Sequence, residues 1–462
     1  MRKFVLFVTL LSFVFATKSC KDPEPTEVEI INSWIWDVMN DVYLWADEVD
    51  QNLYPTEMDD PEQFFESLLY EEDRFSWIVD DYQELLNSFN NIDLSNGISP
   101  YFIRVGSTNE VIAVVEYVAD NSPASDAGVK RGDIISEING TVLDVDNFSS
   151  LFYADQVTLG FSDYVNGTLV ANDREVSLTS EIVEVNPVAH HEIIEFEGSR
   201  IGYITYTGFS EGDNLKWVDS MNNVIAEFQT EGISEVIMDI RYNPGGRVSV
   251  ANHIAAMLSP SEIPAGDNVF VNFRWNDDYQ QYFEAEEGEN SGNLVVFFEE
   301  DPGYNLDLTD VYFLTGWHSA SASELIIIGL DPYMNVVQVG ENTYGKFYGS
   351  ITIPDTEEPT RHNWAMQPLV FKFANSVGYT DFYDGLTPDI EVNDDLLNLK
   401  PFGDITDPVI AAAIEDITGV SPIAKKSVSQ RPDYTLLPDP VRESRIRTEL
   451  TTPRLLKPGM RK

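Results

Sequence analysis

The chain has 462 residues, 43% hydrophobic and 12% aromatic, which is a globular composition with enough apolar side chain for two or three domains. Its 28 Lys and Arg stand against 78 Asp and Glu, a formal charge of −50 that argues against a nucleic-acid partner, because such binding needs cations to neutralise phosphates. One cysteine excludes an internal disulfide, no cysteine pair or zinc-ligand histidine pattern is present, and no metal or cofactor is expected.

At the N-terminus Arg2 and Lys3 precede an apolar run, Phe4 to Ala16, shorter than the roughly 20 residues of a spanning helix. Residues 1–19 therefore read as an export signal. Cys20 follows directly, and the arrangement resembles a bacterial lipoprotein signal. That resemblance implies lipidation at Cys20, a polar tether over 20–27, and a lipid anchor in the cell envelope. The acidic stretch after the cysteine is similar to export signals of Bacteroidetes-type lipoproteins.

Residues 28–95 carry helical periodicity: Ile30, Ile31, Trp34, Ile35, Val38 and Met39 recur at helix-face spacing. Asp60-Pro61 opens a second helix and Asp81 a third, so a small helical bundle is expected. Over 96–185 the pattern changes to short β-runs with Gly and Asn punctuation. The run from Ser122-Pro123-Ala124 through Ala127-Gly128, Gly132-Asp133-Ile134 and Ile138-Asn139-Gly140 resembles a PDZ domain. This implies capture of an extended peptide as an added strand, with Ile98, Tyr101 and Phe102 as candidate contacts.

Residues 186–420 alternate strand and helix: Ile201–Tyr206, an amphipathic helix from Asp213, Val236–Ile240, Val311–Leu314, a helix from Ser321 and Asn335–Val339. Apolar strands separated by helices indicate an α/β sheet covered on both faces. Residues 266–310 read as surface strands and loops. Residues 421–462 read as a Pro-containing tail without lasting periodicity. Within it 423–462 have ten Lys and Arg against four Asp and Glu, a net +6 beside −56 for the rest.

Three patches in the α/β part point to chemistry. In Asp239-Ile240-Arg241-Tyr242-Asn243-Pro244-Gly245-Gly246 a strand ends in a tight turn whose glycines leave backbone N–H groups accessible, as an oxyanion site requires. His318-Ser319-Ala320-Ser321-Ala322-Ser323-Glu324 places small residues and serines at a helix N-terminus. Gly345-Lys346 closes the next strand, and burial would favour a neutral lysine able to take a proton from a hydroxyl. Together the three patches resemble the tail-specific, C-terminal processing peptidases of family S41.

The resemblance implies a helical N-terminal region, a PDZ-like domain and an α/β, ClpP/crotonase-like protease core. It assigns Ser321 as nucleophile and Lys346 as general base, with oxyanion donors from Ala322 and from Gly245 or Gly246. It also implies a polypeptide substrate. The chain departs from the pattern at Gly316-Trp317-His318, where Asn-Gly-Gly is frequent, and at Ser350, where some members have an orienting glutamine. Glu324 is the candidate to orient Lys346 instead. Two other readings compete: a histidine-dependent hydrolase using His318, and a catalytically inactive peptide- or ligand-binding protein on the same fold.

Overall fold

The computed structural model describes residues 24–423 and 434–439. The expected export signal, Cys20 and most of the basic tail lie outside the described residues.

Three short helices open the described chain. α1 (Glu27–Met39) begins in a capping box, in which the Thr26 hydroxyl accepts from the Glu29 N–H and the Glu29 carboxylate accepts from the Thr26 N–H. α2 (Pro61–Ser67) and α3 (Tyr82–Phe89) are capped by Asp60 and Asp81. The helices do not close a core of their own. Ile31, Trp34, Ile35, Met39, Phe64 and Phe65 share one hydrophobic cluster with the α/β core, since helices this short bury little against each other.

The PDZ-like part is an antiparallel sheet. It comprises β1 (Ile98–Val105), β2 (Val111–Val118), β3 (Ile134–Ile138), α4 (Phe148–Phe152), β4 (Gln156–Val165) and β5 (Thr168–Thr179). Its core holds Ile98, Phe102, Ile135 and Leu159, and α4 lies over it through Phe148, Leu151 and Phe152.

The α/β core runs β6 (Val188–Phe196), β7 (Ser199–Tyr206), α5 (Lys216–Glu231), β8 (Glu235–Asp239), α6 (Val248–Leu258), β9 (Val269–Trp275) and α7 (Asp277–Glu286). It continues through β10 (Asp310–Thr315), α8 (Ala322–Leu330), β11 (Asn335–Gly340), β12 (Leu369–Ala374), β13 (Ile390–Glu391) and α9 (Pro408–Thr418). Six of these strands form a sheet in the order β6-β7-β8-β10-β11-β13, parallel from β7 onward. In register, Met238 lies opposite Phe313, and Phe313 opposite Gln338. Helices α5, α6 and α8 bury one face of the sheet and α9 the other, so its central strands β7, β8 and β10 are largely apolar.

Two segments differ from expectation. Within 266–310, β9 is a buried strand of a second, four-stranded sheet, and α7 is a helix. Tyr279 and Phe283, one turn apart, pack α7 on Trp275, whose main-chain N–H donates to Gln280, and two aromatics are too sparse a stripe to stand out in an acidic sequence. In the tail, β14 (Tyr434–Leu436) pairs antiparallel with β1, where an irregular end was expected. Among the described residues no helix is long and apolar enough to cross a membrane.

Candidate active site

The three patches meet because they follow the C-terminal ends of neighbouring parallel strands. The turn ending in Gly245-Gly246 follows β8, the serine-rich loop follows β10, and Gly345-Lys346 follows β11. Loops at that edge of an open α/β sheet converge on one crevice.

The serines of the loop divide by their partners. Ser319 Oγ donates to the Ile240 carbonyl at 2.8 Å and accepts from the Gly316 N–H. Ser323 Oγ donates to the Asn243 carbonyl at 2.9 Å. Both thereby tie the loop to the end of β8. Ser321 Oγ, fully buried between them, has no hydrogen-bond partner among the described residues. Its backbone has φ 57° and ψ −111°, a conformation costing a non-glycine residue about 1–3 kcal/mol. As the N-cap of α8 it stands at the positive end of the helix dipole.

Glu324 joins this serine to the lysine segment. Its Oε2 accepts from the Ser321 N–H at 2.8 Å and from the Lys346 N–H at 2.9 Å. Its Oε1 accepts from Thr343 Oγ1 at 2.6 Å and from the Gly345 N–H at 2.7 Å. Burial raises the Glu324 pKa, and the four donors pull against that shift. Glu324 therefore holds Lys346 by its main chain. Lys346 is fully buried, and its Nζ lies 5.4 Å from the centroid of the Phe75 ring, a wall supplied by the N-terminal region.

The glycine turn presses against the serine. A Cβ on Gly245 would fall 2.8 Å from Ser321 Cβ, and one on Gly246 2.3 Å from the Phe209 carbonyl oxygen; φ is +109° and +139°. The Gly245 N–H is already taken, donating to Asn243 Oδ1 at 2.9 Å. That bond leaves Gly246 the freer of the two candidate glycine donors. The N–H groups of Gly246 and Ala322 have no acceptor among the described residues.

Beneath the turn lies a buried charge network that the sequence did not announce. The Arg241 guanidinium donates to Asp239 at 2.7 Å, Asp394 at 3.0 Å and Asp407 at 3.2 Å. Burial works against the charge on Arg241, and the three carboxylates outweigh it, raising its pKa. Arg131 of the PDZ-like part joins by donating to Tyr242 Oη at 2.6 Å.

The PDZ-like part also reaches the serine loop. Tyr101 stacks on His318 at 4.8 Å, and His318 Nδ1 lies 3.3 Å from a carboxylate oxygen of the buried Glu116. His318 is thus engaged by the PDZ-like part, its ring against Tyr101 and its Nδ1 beside Glu116, which speaks against the histidine-dependent reading. Tyr101 faces Tyr242 and the α/β core, on the opposite side of β1 from Ile98 and Phe102. Ile98 lies in the PDZ-like core and lines a cavity of about 410 Å³ together with Phe152, Tyr153, Gly245 and Gly246. A second groove, of about 770 Å³, meets it at Glu84, Ser88 and Asp93 and is lined by acidic residues with Arg74.

Sequence reasoning assigned no role of their own to Thr343, Asn243 and Phe75. The first two act through hydrogen bonds fixed only in the folded turns, and Phe75 arrives from a distant segment. The profile of peptidase family S41 matches residues 200–392, that of the S41 N-terminal domain residues 30–77, and that of a PDZ domain residues 114–161. A crystal structure from Bacteroides fragilis assigned to the S41 proteases is 26% identical, with a TM-score of 0.69, covering 84% of this chain and 97% of that one. A carboxy-terminal-processing protease of Bartonella bacilliformis is 26% identical over 302 residues, 64% of this chain and 61% of its own length. A carboxyl-terminal-processing protease of Picosynechococcus is 25% identical over 331 residues, 70% of this chain and 71% of its own. With its N-terminal, PDZ and catalytic regions all matched, the chain belongs to peptidase family S41, a family of serine-type peptidases.

Proposed function

We propose that the chain is a serine endopeptidase acting on unstructured or C-terminal segments of exported proteins through Ser321 and Lys346. The observation that carries this reading is Ser321 Oγ, the one serine of the loop left without a partner, strained and pressed against a glycine turn. Ser321 Oγ attacks the scissile carbonyl carbon while the uncharged Lys346 amine takes its proton. The N–H groups of Ala322 and Gly246 receive the oxyanion. Collapse breaks the C–N bond, and the Lys346 ammonium returns its proton to the leaving amine. Water, deprotonated by Lys346, then cleaves the acyl ester and frees Ser321.

The hydroxyl makes no hydrogen bond in this form, and catalytic contacts of this kind commonly tighten only with substrate bound. The acidic groove beside the site favours an extended substrate carrying basic residues. Turnover of a fluorescently labelled unfolded protein tests the proposal. Ser321→Ala and Lys346→Ala should each lose at least about 10²–10⁴-fold in kcat, and Ser321→Ala should lose labelling by a fluorophosphonate probe. Undiminished turnover by Ser321→Ala sinks the reading. A folded wild type that neither labels nor turns over favours binding alone.

Export and lipidation at Cys20 belong to the same proposal and rest on the sequence. Cys20→Ala should abolish incorporation of labelled palmitate and move the protein out of the membrane fraction; an unchanged partition would refute the anchor.

A further inference from the structure

The basic tail returns to the molecule at one place. β14 (Tyr434–Leu436) extends the PDZ-like sheet beyond β1, setting Tyr434 opposite Val105, Thr435 opposite Arg104 and Leu436 opposite Ile103. The pairing continues one residue further, with the Leu437 N–H donating to the Phe102 carbonyl at 2.9 Å. Leu437 packs on the cluster that holds Phe102, Phe148 and Phe152, between β1 and α4. Tyr434 and Leu436 pack on the opposite cluster, beside Tyr101 and Tyr242. The Tyr153 hydroxyl lies 2.7 and 2.8 Å from the two Asp439 carboxylate oxygens, and Asp439 is buried. Asp439, Tyr153 and Phe152 share the cavity that Gly245 and Gly246 line on its other side.

This is how a sheet edge takes up an extended peptide: main-chain hydrogen bonds hold it and a side-chain pocket selects it. The segment runs from opposite Val105 toward Gly97, where β1 begins, and its last described residue reaches the cavity beside the serine loop. One edge accepts one strand. A second peptide cannot pair with β1 while Tyr434–Leu436 is there. Charge favours the resident, because residues 423–462 carry +6 on a chain otherwise at −56.

We propose that the groove between β1 and α4 is a peptide-binding site whose resident ligand is the chain's own Tyr434–Asp439. This self-ligand competes with incoming polypeptide of the same class, an extended segment presenting an aliphatic side chain at the Leu437 position. Tethering gives the tail an effective concentration of about millimolar order, so a free peptide meets an occupied groove. The inhibitory consequence rests on the proteolytic reading of Ser321. The occupancy does not.

The test separates the two. In full-length protein carrying Ser321→Ala, binding of a fluorescein-labelled peptide of residues 433–439, DYTLLPD, is measured by anisotropy with and without Leu437→Asp. Leu437→Asp should tighten binding of the labelled peptide at least about tenfold by vacating the groove. With Ser321 intact, Leu437→Asp should lower KM for an unfolded substrate and leave kcat unchanged, and added unlabelled peptide should raise KM again. Deletion of residues 423–462 is the second variant and should match Leu437→Asp in both assays. Equal affinity in the parent and both variants, or no measurable binding to any of them, overturns the proposal. So does loss of the folding transition of the PDZ-like part in both variants, which would make β14 a structural strand. A clear affinity shift in a protein without turnover would keep the self-ligand and reject the protease.

Discussion

Glu324→Gln removes one charge from the centre of the candidate site and changes one acceptor oxygen into a donor. The better orientation of the amide can be worked out from the partners. The Thr343 oxygen has a second lone pair besides the one that accepts from the Leu386 N–H at 2.6 Å, so it can accept from an amide once its hydrogen turns away. The amide NH₂ therefore goes to the Thr343 side, and its oxygen stays with the Ser321 and Lys346 N–H groups. This strands the buried Gly345 N–H, at about 1–3 kcal/mol, and weakens two charge-assisted bonds by about 1 kcal/mol each. Relief from burying an unpaired carboxylate offsets part of that loss. The net expectation is about 1–3 kcal/mol of destabilisation, read from urea unfolding. Turnover should fall by about 10–100-fold in kcat with KM for the unfolded substrate unchanged, and the rate of fluorophosphonate labelling should fall in parallel. A merely structural role would lower stability and leave kcat of the folded fraction intact. Wild-type kcat and stability together would refute the reasoning, because they would mean that the four hydrogen bonds position nothing.

Gly246→Ala would set a methyl 2.3 Å from the Phe209 carbonyl oxygen and must displace the turn, so at least about 10²-fold of turnover should be lost while near-UV circular dichroism is kept; full activity would remove Gly246 from the oxyanion role. Arg241→Met leaves Asp239, Asp394 and Asp407 buried without their shared cation and should cost about 3–5 kcal/mol in urea unfolding, whereas a loss under about 1 kcal/mol contradicts the network. Against the raising effect of burial, hydrogen bonds from Arg361 and backbone N–H groups hold the Asp355 carboxyl down to about 2. A depressed folded pKa adds stability that is complete above the ordinary aspartate value of about 4 and disappears as pH falls from there toward about 2. Asp355→Asn should flatten the urea midpoint against pH across that window, and an unchanged slope would refute the assignment.

The α/β core was legible because buried parallel strands write continuous apolar runs, such as Val236–Met238 and Val311–Leu314, and their connecting helices write amphipathic ones. Ser321 and Lys346 were legible through small residues and glycines that a plain cap or turn does not need. The choice of Gly246 over Gly245 was hidden, since it depends on where the Asn243 amide points. The face of Tyr101 was hidden for a related reason. Strand alternation puts it opposite Ile98 and Phe102, but which face of β1 meets the α/β core is decided by tertiary packing. Pairing of β14 with β1 joins residues more than three hundred apart, and a three-residue strand in a proline-rich tail carries no periodicity.

The shared oxygen of Glu324 limits how such a site can be switched. Ser321 and Lys346 hang by their amides from one buried atom, so their main chains cannot separate without breaking a charged bond in a dry interior. The proposed nucleophile and base then travel as a single body. Control falls to what surrounds that body: the turn that offers the Gly246 N–H, the rotamer of the Lys346 side chain, and the route by which a peptide enters. A protein assembled this way can be silenced with its reacting pair fully built, and woken without refolding it.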